Sequence, residues 1–236
     1  MSIETFDKDN LDNVLKTLAK EYKKLAGKSM PAELVLVGGA AIIENYGFRD
    51  STTDIDAMVM ASSAMKEAII RTRDVLGLSN GWLNDNFKKT KSYSTKIREV
   101  SVHYKSFYGV LNVRTVSAEY LVAMKLRAGR RYKNDLSDVA GILAEHRKRK
   151  CDITFDEIDK AVVKLYDSWK CIPKNSVVYI NDLFEHGNYE EKYAEIRDSE
   201  KKAKRILLDF EEGYPETLNI ENANDILSEL EKKSKG

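Results

Sequence analysis

The chain has 236 residues, 42% of them hydrophobic and 33% charged, with a net charge of +1, which allows one large domain or two small ones with ample core. The longest uncharged apolar run, Leu34 to Ile43, is far too short to span a membrane, and the N-terminus has neither a basic nor an apolar segment of the secretory kind. Two cysteines, Cys151 and Cys171, form neither a metal-site spacing nor a disulfide framework, so a reducing cytoplasmic location is expected, with no membrane partner.

The near-neutral total hides an asymmetry. Residues 1–150 carry 26 Lys and Arg against 18 Asp and Glu, and residues 151–236 carry 13 against 20. From Lys88 to Lys150 the balance is 16 to 5. A polyanion such as RNA would be drawn to the basic part. A solvated surface that happens to segregate by sign is the plainer reading.

In chain order, Asp9 to Ala26 carries Leu11, Val14, Leu15, Leu18, Tyr22 and Leu25 at helical spacing, and Gly27 follows as a stop. Leu34 to Val37 reads as a buried strand. Gly38-Gly39 makes a turn, Ala40 to Ile43 starts a short helix, and Asp54 to Val59 is a second strand. Ser62 or Ser63 can cap a helix that runs to Leu76 and ends at Gly77. Leu78 to Tyr93 is mixed, with Gly81 to Asp85 a loop around an aromatic anchor, Trp82. Ile97 to Phe107 has period-two character, and Val110 to Val116 is its hairpin partner across Tyr108-Gly109. Ser117 opens one helix, and Asn134 to Arg147 forms the next. Beyond residue 151 the pattern is helical and acidic: Phe155 to Trp169, Tyr189 to Glu211 and Asn222 to Lys233. The fold expectation is α+β, a small mixed sheet flanked by helices over residues 1–150 and an all-helical region over residues 151–236.

The chemistry concentrates at two places fourteen residues apart, Gly38-Gly39 and Asp54-Ile55-Asp56. A strand-to-helix turn of glycines lets backbone N–H groups approach an anion, and the helix N-terminus favours its negative charge. Taken alone, a glycine pair is more often a structural turn. Side chains alternate along a strand, so Asp54 and Asp56 share a side, about 7 Å apart. Two carboxylates so placed suit a divalent cation carrying a phosphate. The competing reading, a turn cap and a surface ion pair, fits poorly within an apolar run. There the carboxylates would be largely buried, and a buried carboxylate without a cation costs several kcal/mol. Arg49, Thr52 and Thr53 stand just upstream, to position the loop or touch a phosphate.

These residues resemble the DNA polymerase β-like nucleotidyltransferase superfamily, whose signature is Gly-Gly or Gly-Ser, a short helix, then Asp-x-Asp. The block from Tyr120 to Val139, with Lys125-Leu126-Arg127-Ala128, Arg130 and Asp135-Leu136-Ser137-Asp138, is similar to that of bacterial AbiEii-type nucleotidyltransferases, the toxin halves of toxin–antitoxin pairs, and their minimal relatives. The likeness covers roughly residues 30–145. It implies a nucleotidyltransferase core in which Gly38 and Gly39 hold the triphosphate, Asp54 and Asp56 bind Mg²⁺ (or Mn²⁺), Lys125 reaches the triphosphate, and Asp135 and Asp138 complete the pocket. Arg49 and Thr53 join the nucleotide-binding set, and Asp138 is the catalytic candidate among the later acids. Without the likeness, Lys125 would read as a snorkelling helix lysine and the two acids as first-turn residues favoured by the helix dipole.

One departure stands out. Members of the superfamily carry a third carboxylate on a later central strand, where this chain presents Asn112. Glu99 and Asp138 are the substitutes to weigh. His103, His146 and His186 show no ligand spacing, and Trp82 and Trp169 read as core anchors. The run from His146 to Lys150 is a solvated helix end or, with Lys88, Lys89, Lys91, Arg130 and Arg131, a track for an RNA backbone. The leading expectation is transfer of an NMP from an NTP to an acceptor hydroxyl, on a tRNA 3′ end, another RNA or a protein, with an antitoxin partner if the chain is a toxin. The rivals are an antibiotic-modifying enzyme acting on small molecules and a nucleotide-binding module without turnover.

Overall fold

The structure, a computed structural model, describes residues 4–219 and 222–233; the N-terminal reading above rests partly on residues 1–3, which lie outside it. The chain forms two compact units. The first comprises Met1–Met124 and Asp156–Asp167, the second Lys125–Phe155 and Ser168–Gly236.

The first unit is built on a mixed five-stranded sheet in the order β3-β2-β1-β5-β4. Its helix α1 (Lys8–Ala26) begins in a capping box: the Asp7 carboxylate accepts from the N–H groups of Asp9 and Asn10, and the Asn10 side chain accepts from the Asp7 N–H. The stripe Leu11, Val14, Leu15, Leu18 and Tyr22 is fully buried. Strand β1 (Ala32–Leu36) leads into α2 (Gly38–Asn45), and β2 (Ile55–Met60) returns antiparallel to β1. Helix α3 (Ala64–Leu76) ends at Gly77 in the left-handed conformation and packs on α1.

Between α3 and β5, two segments differ from the sequence expectation. Within the expected loop around Trp82, Leu83–Asn84 forms a short edge strand, β3, parallel to β2. The strand expected from Ile97 begins only at Ser101. Thr95–Arg98 is instead a 3-10 turn, capped by Ser94 accepting from the Lys96 N–H, with Ile97 buried. Strands β4 (Ser101–Phe107) and β5 (Leu111–Val116) form the expected antiparallel hairpin, and β5 runs parallel to β1. At its turn Tyr108 and Gly109 both have positive φ, 51° and 67°, which matches the right-handed twist of the strands. Helix α4 (Ala118–Ala128) follows β5.

In the second unit, α5 (Asp135–Lys148) packs against α7 (Lys174–His186) and α8 (Tyr189–Gly213), and α8 against α9 (Ala223–Lys233). Ala203, Leu207, Ala223 and Leu227 are the buried contacts of the last pair. Helix α6 (Phe155–Tyr166), which but for Phe155 belongs to the first unit, stops three residues short of the expected Trp169, whose ring stacks on Phe155 at 5.7 Å. Helix α7 escaped the sequence reading. Its Asn, Ser and β-branched residues are weak helix formers, and burial of Ser176, Tyr179, Ile180 and Leu183 holds it in place. Among the described residues no helix is long and apolar enough to cross a membrane.

Candidate functional site

The turn between β1 and α2 requires both of its glycines, for different reasons. Gly38 has φ +58°, where a side chain is strained, and a Cβ there would stand 3.5 Å from the Asp56 carboxylate. At Gly39 a Cβ would meet Thr52 Oγ1 at 2.6 Å and Arg49 Nη2 at 2.9 Å, leaving no room for it. Val37 at the N-cap of α2 offers no capping side chain, so the first N–H groups of the helix are not covered by a cap of its own, the arrangement that can receive an anion. The Val37 N–H donates to the Asp56 carbonyl at 3.0 Å, which ties the turn to the acid pair.

Strand β2 begins at Ile55, one residue later than expected, and points Ile55 and Ala57 into the core, fully buried, while Asp56 on the alternate side and Asp54 just before the strand are half-buried. This corrects the expectation that the two carboxylates are buried. Solvent reaches them, so burial does not by itself demand a cation. The loop before them is clamped: Thr52 and Phe6 exchange backbone hydrogen bonds of 2.7 and 2.8 Å, and the Phe6 ring lies 6.2 Å from Trp82. Thr52 is the buried residue against Gly39, whereas Thr53 is exposed beside Asp54. Asn84 of β3 pairs in register with Asp56, and its amide donates to Asp54 Oδ2 at 3.3 Å. Gly38, Gly39, Arg49, Thr52, Asp54, Asp56 and Asn84 are thus assembled within one unit.

Oxygen donors of this kind suit Mg²⁺ or Mn²⁺, and Mg²⁺ is commonly held by one or two carboxylates completed by substrate phosphates. The half-exposed Asp54 and Asp56 beside an uncapped helix N-terminus fit that pattern. Among the described residues no group of three or more His, Cys, Asp or Glu is placed to hold a metal. The positions considered for a third acid do not supply one in this unit. Asn112 is exposed and level with Glu33, itself level with Met60. That puts it four residues along β2 from Asp56, about 13 Å. The β5 residue level with Ala57 is Thr115. Glu99 precedes β4, three strands from β2, and pairs with Lys164 at 2.9 Å.

Lys125, Asp135 and Asp138 come together in the second unit. Lys125 Nζ lies 2.7 Å from Asp138 and 3.1 Å from Asp135, and Arg130 grips Asp135 at 2.7 Å. Asp135 is fully buried and Lys125 8% exposed. Burial opposes ionisation of Asp135, but the Lys125 and Arg130 charges outweigh it and hold the carboxyl far below the usual range. Two cations face two carboxylates, so the cluster is balanced internally. Sequence reasoning missed its neighbour Glu200. This buried residue of α8 accepts from Ser137 Oγ at 2.5 Å and from the Leu136 N–H at 3.0 Å, capping α5. Burial pushes its carboxyl up to about 8, against these hydrogen bonds.

The basic run is less available than its sequence suggests. Lys88 pairs with Asp85, Arg131 with Glu231, and Lys148 and Arg149 with Glu145. Lys89, Lys91 and Lys150 are exposed. His146 Nδ1 contacts the Cys151 carbonyl and His186 Nδ1 the Asp182 carbonyl, at 3.0 and 3.1 Å.

Residues 13–155 match the model of a family described as nucleotidyltransferase of unknown function, DUF6036. No curated protein and no solved structure matches the chain significantly.

Proposed function

Starting from the fact that the chain belongs to the nucleotidyltransferase family DUF6036, we propose that it moves an NMP from an NTP to an acceptor hydroxyl, with Mg²⁺ or Mn²⁺ held by Asp54 and Asp56. The observation that carries this reading is the turn itself: glycines at the start of an α2 that has no N-cap side chain, with the Asp56 carboxylate 3.5 Å from the Cβ position of Gly38 and the Arg49 guanidinium 2.9 Å from that of Gly39. Anion-receiving and cation-receiving groups are therefore adjacent, as a metal-carried polyphosphate needs. When bound, the metal supplies charge neutralisation on the phosphates and a template for in-line attack. Gly38 and Gly39 hold phosphate oxygens through backbone N–H groups, Arg49 adds a positive charge, and exposed Thr53 offers a hydroxyl next to Asp54. In the reaction the acceptor oxygen bonds to the α-phosphorus, the bond to pyrophosphate breaks, and the hydroxyl proton passes to a base.

Lys125, Asp135 and Asp138 remain candidates for nucleotide contact, Asp138 also for the base. Their mutual pairing supports a holding role between α4 and α5 first. The AbiEii-type branch, a toxin role with an antitoxin partner, and a tRNA 3′ end or a protein side chain as acceptor belong to the same proposal. The blocks around Asp54 and Lys125 support the branch, and exposed Lys89 and Lys91 near β3 support a polyanionic acceptor. A module that binds nucleotide without turnover is the second reading, favoured by the two-carboxylate centre.

The test incubates the protein with Mg²⁺, each labelled NTP, and total tRNA or a protein mixture. Label transfer abolished by Asp54→Ala and by Asp56→Ala is expected. Transfer that survives both substitutions would refute the site, and nucleotide binding without transfer to any acceptor would establish the second reading.

A further inference from the structure

We infer that Asn84 is the third residue beside the acid pair and that, without ligating the cation, it positions Asp54 there. The inference rests on the metal site proposed above and goes beyond it by assigning the third neighbour of the acid pair, which is not on β5, at Glu99 or at Asp138. Three observations carry it. Asn84 is the Cα partner of Asp56 in the parallel pairing of β3 with β2, and side chains of residues so paired stand on the same side of a sheet, about 4.8 Å apart. It thus shares a side with Asp56, and its amide reaches Asp54, the residue just before β2.

Its amide is also oriented. Oδ1 accepts from the Asn86 N–H at 2.9 Å, while Nδ2 donates to Asp54 Oδ2 at 3.3 Å and to the Gly81 carbonyl at 3.2 Å. A backbone N–H can only donate, so the oxygen must face Asn86 and the nitrogen must face Asp54. Asn84 therefore presents a donor, not a ligand, to the acid pair. It engages one oxygen of Asp54 and leaves Oδ1 to join Asp56 at a cation.

Finally, the strand that carries Asn84 is anchored. The Trp82 carbonyl accepts from the Ile55 N–H at 2.7 Å, and the Trp82 indole, 1% exposed, donates to the Ile69 carbonyl at 3.2 Å. A neutral amide, and among the described residues no third acid placed to share a cation, stands beside Asp54 and Asp56. The amide makes the position convertible: an aspartate there would stand next to both acids as a third oxygen ligand.

The test measures Mn²⁺ binding by the electron paramagnetic resonance of the free ion, in the presence of a non-hydrolysable NTP analogue, and thermal unfolding without metal. Asn84→Ala is expected to raise the Mn²⁺ Kd about tenfold or more, as loss of residues that orient metal ligands does, with metal-free unfolding lowered only by the small amount that the lost bonds to Asn86 and Gly81 account for. Asn84→Asp is expected to bind Mn²⁺ at least as tightly as the unsubstituted protein. Unchanged affinity in Asn84→Ala would overturn the inference. So would a loss that accompanies a larger drop in metal-free stability and that Asn84→Asp does not restore. The two readings fail differently. An unsubstituted protein without Mn²⁺ affinity would refute the metal site, whereas binding that is lost in Asp54→Asn but intact in Asn84→Ala would refute only the role of Asn84.

Discussion

Replacing Lys125 by methionine removes the cation that two buried carboxylates share. Each contact, 2.7 and 3.1 Å long, corresponds to about 5–6 kcal/mol of Coulomb attraction at an effective dielectric constant of about 20. Desolvation offsets most of that. What the substitution exposes is the cost of a buried charge that has lost its partner, about 3–5 kcal/mol. Asp135 keeps Arg130 at 2.7 Å, so the lower end, about 3 kcal/mol, is expected. For a chain of this length that lowers the melting temperature by about 6–12 °C. Circular dichroism during heating at neutral pH measures it. The double substitution Lys125→Met with Asp138→Leu should recover most of the loss, because a well-packed apolar pair replaces an ion pair at little cost. A shift of less than about 2 °C in Lys125→Met would refute the view that this lysine holds the unit together. If NTP binding then weakened while stability held, the lysine would instead be a nucleotide contact.

Glu200 gives the protein a pH dependence of definite sign. Its folded-state value, about 8, lies above the ordinary 4.5, so its contribution to stability is fully present below pH 4.5 and is lost as the pH rises through about 8. Urea unfolding between pH 5 and 9 should show stability falling with pH, and Glu200→Gln should flatten that slope; an equal slope in the variant would refute the assignment. Asp135, with its lowered value, acts in the opposite sense and only in strong acid. Gly39→Ala should force Thr52 or Arg49 aside, costing about 1–3 kcal/mol and weakening triphosphate binding measured by calorimetry. Unimpaired binding would show that Arg49 and the α2 N-terminus do not meet the phosphates. Gly38→Ala should cost about 1–2 kcal/mol through its left-handed backbone alone, seen as a lowered melting temperature.

Much of the fold was legible because it rests on local patterns. The buried stripe of α1, the glycine stops after α1 and α3, the Tyr108-Gly109 hairpin and the Gly38-Gly39 turn before Asp54-Ile55-Asp56 each follow from side-chain period or from a backbone demand of a few residues. Strand β3 was not legible, since two residues carry no period, and it exists only because β2 offers them an edge. For the same reason Asn84 gave no signal as a neighbour of the acids. Helix α7 runs against local propensity and forms because its buried face is covered.

The sequence alone thus determined the residue types of the acid pair and the glycine turn, together with their spacing. Tertiary structure decided their surroundings: that Asp54 and Asp56 stay half-exposed, that Arg49 and Thr52 close over Gly39, that Asn84 faces Asp54, and that Lys125 is already engaged by Asp135 and Asp138. Exposure and partners depend on residues distant in the chain, and no local period encodes them.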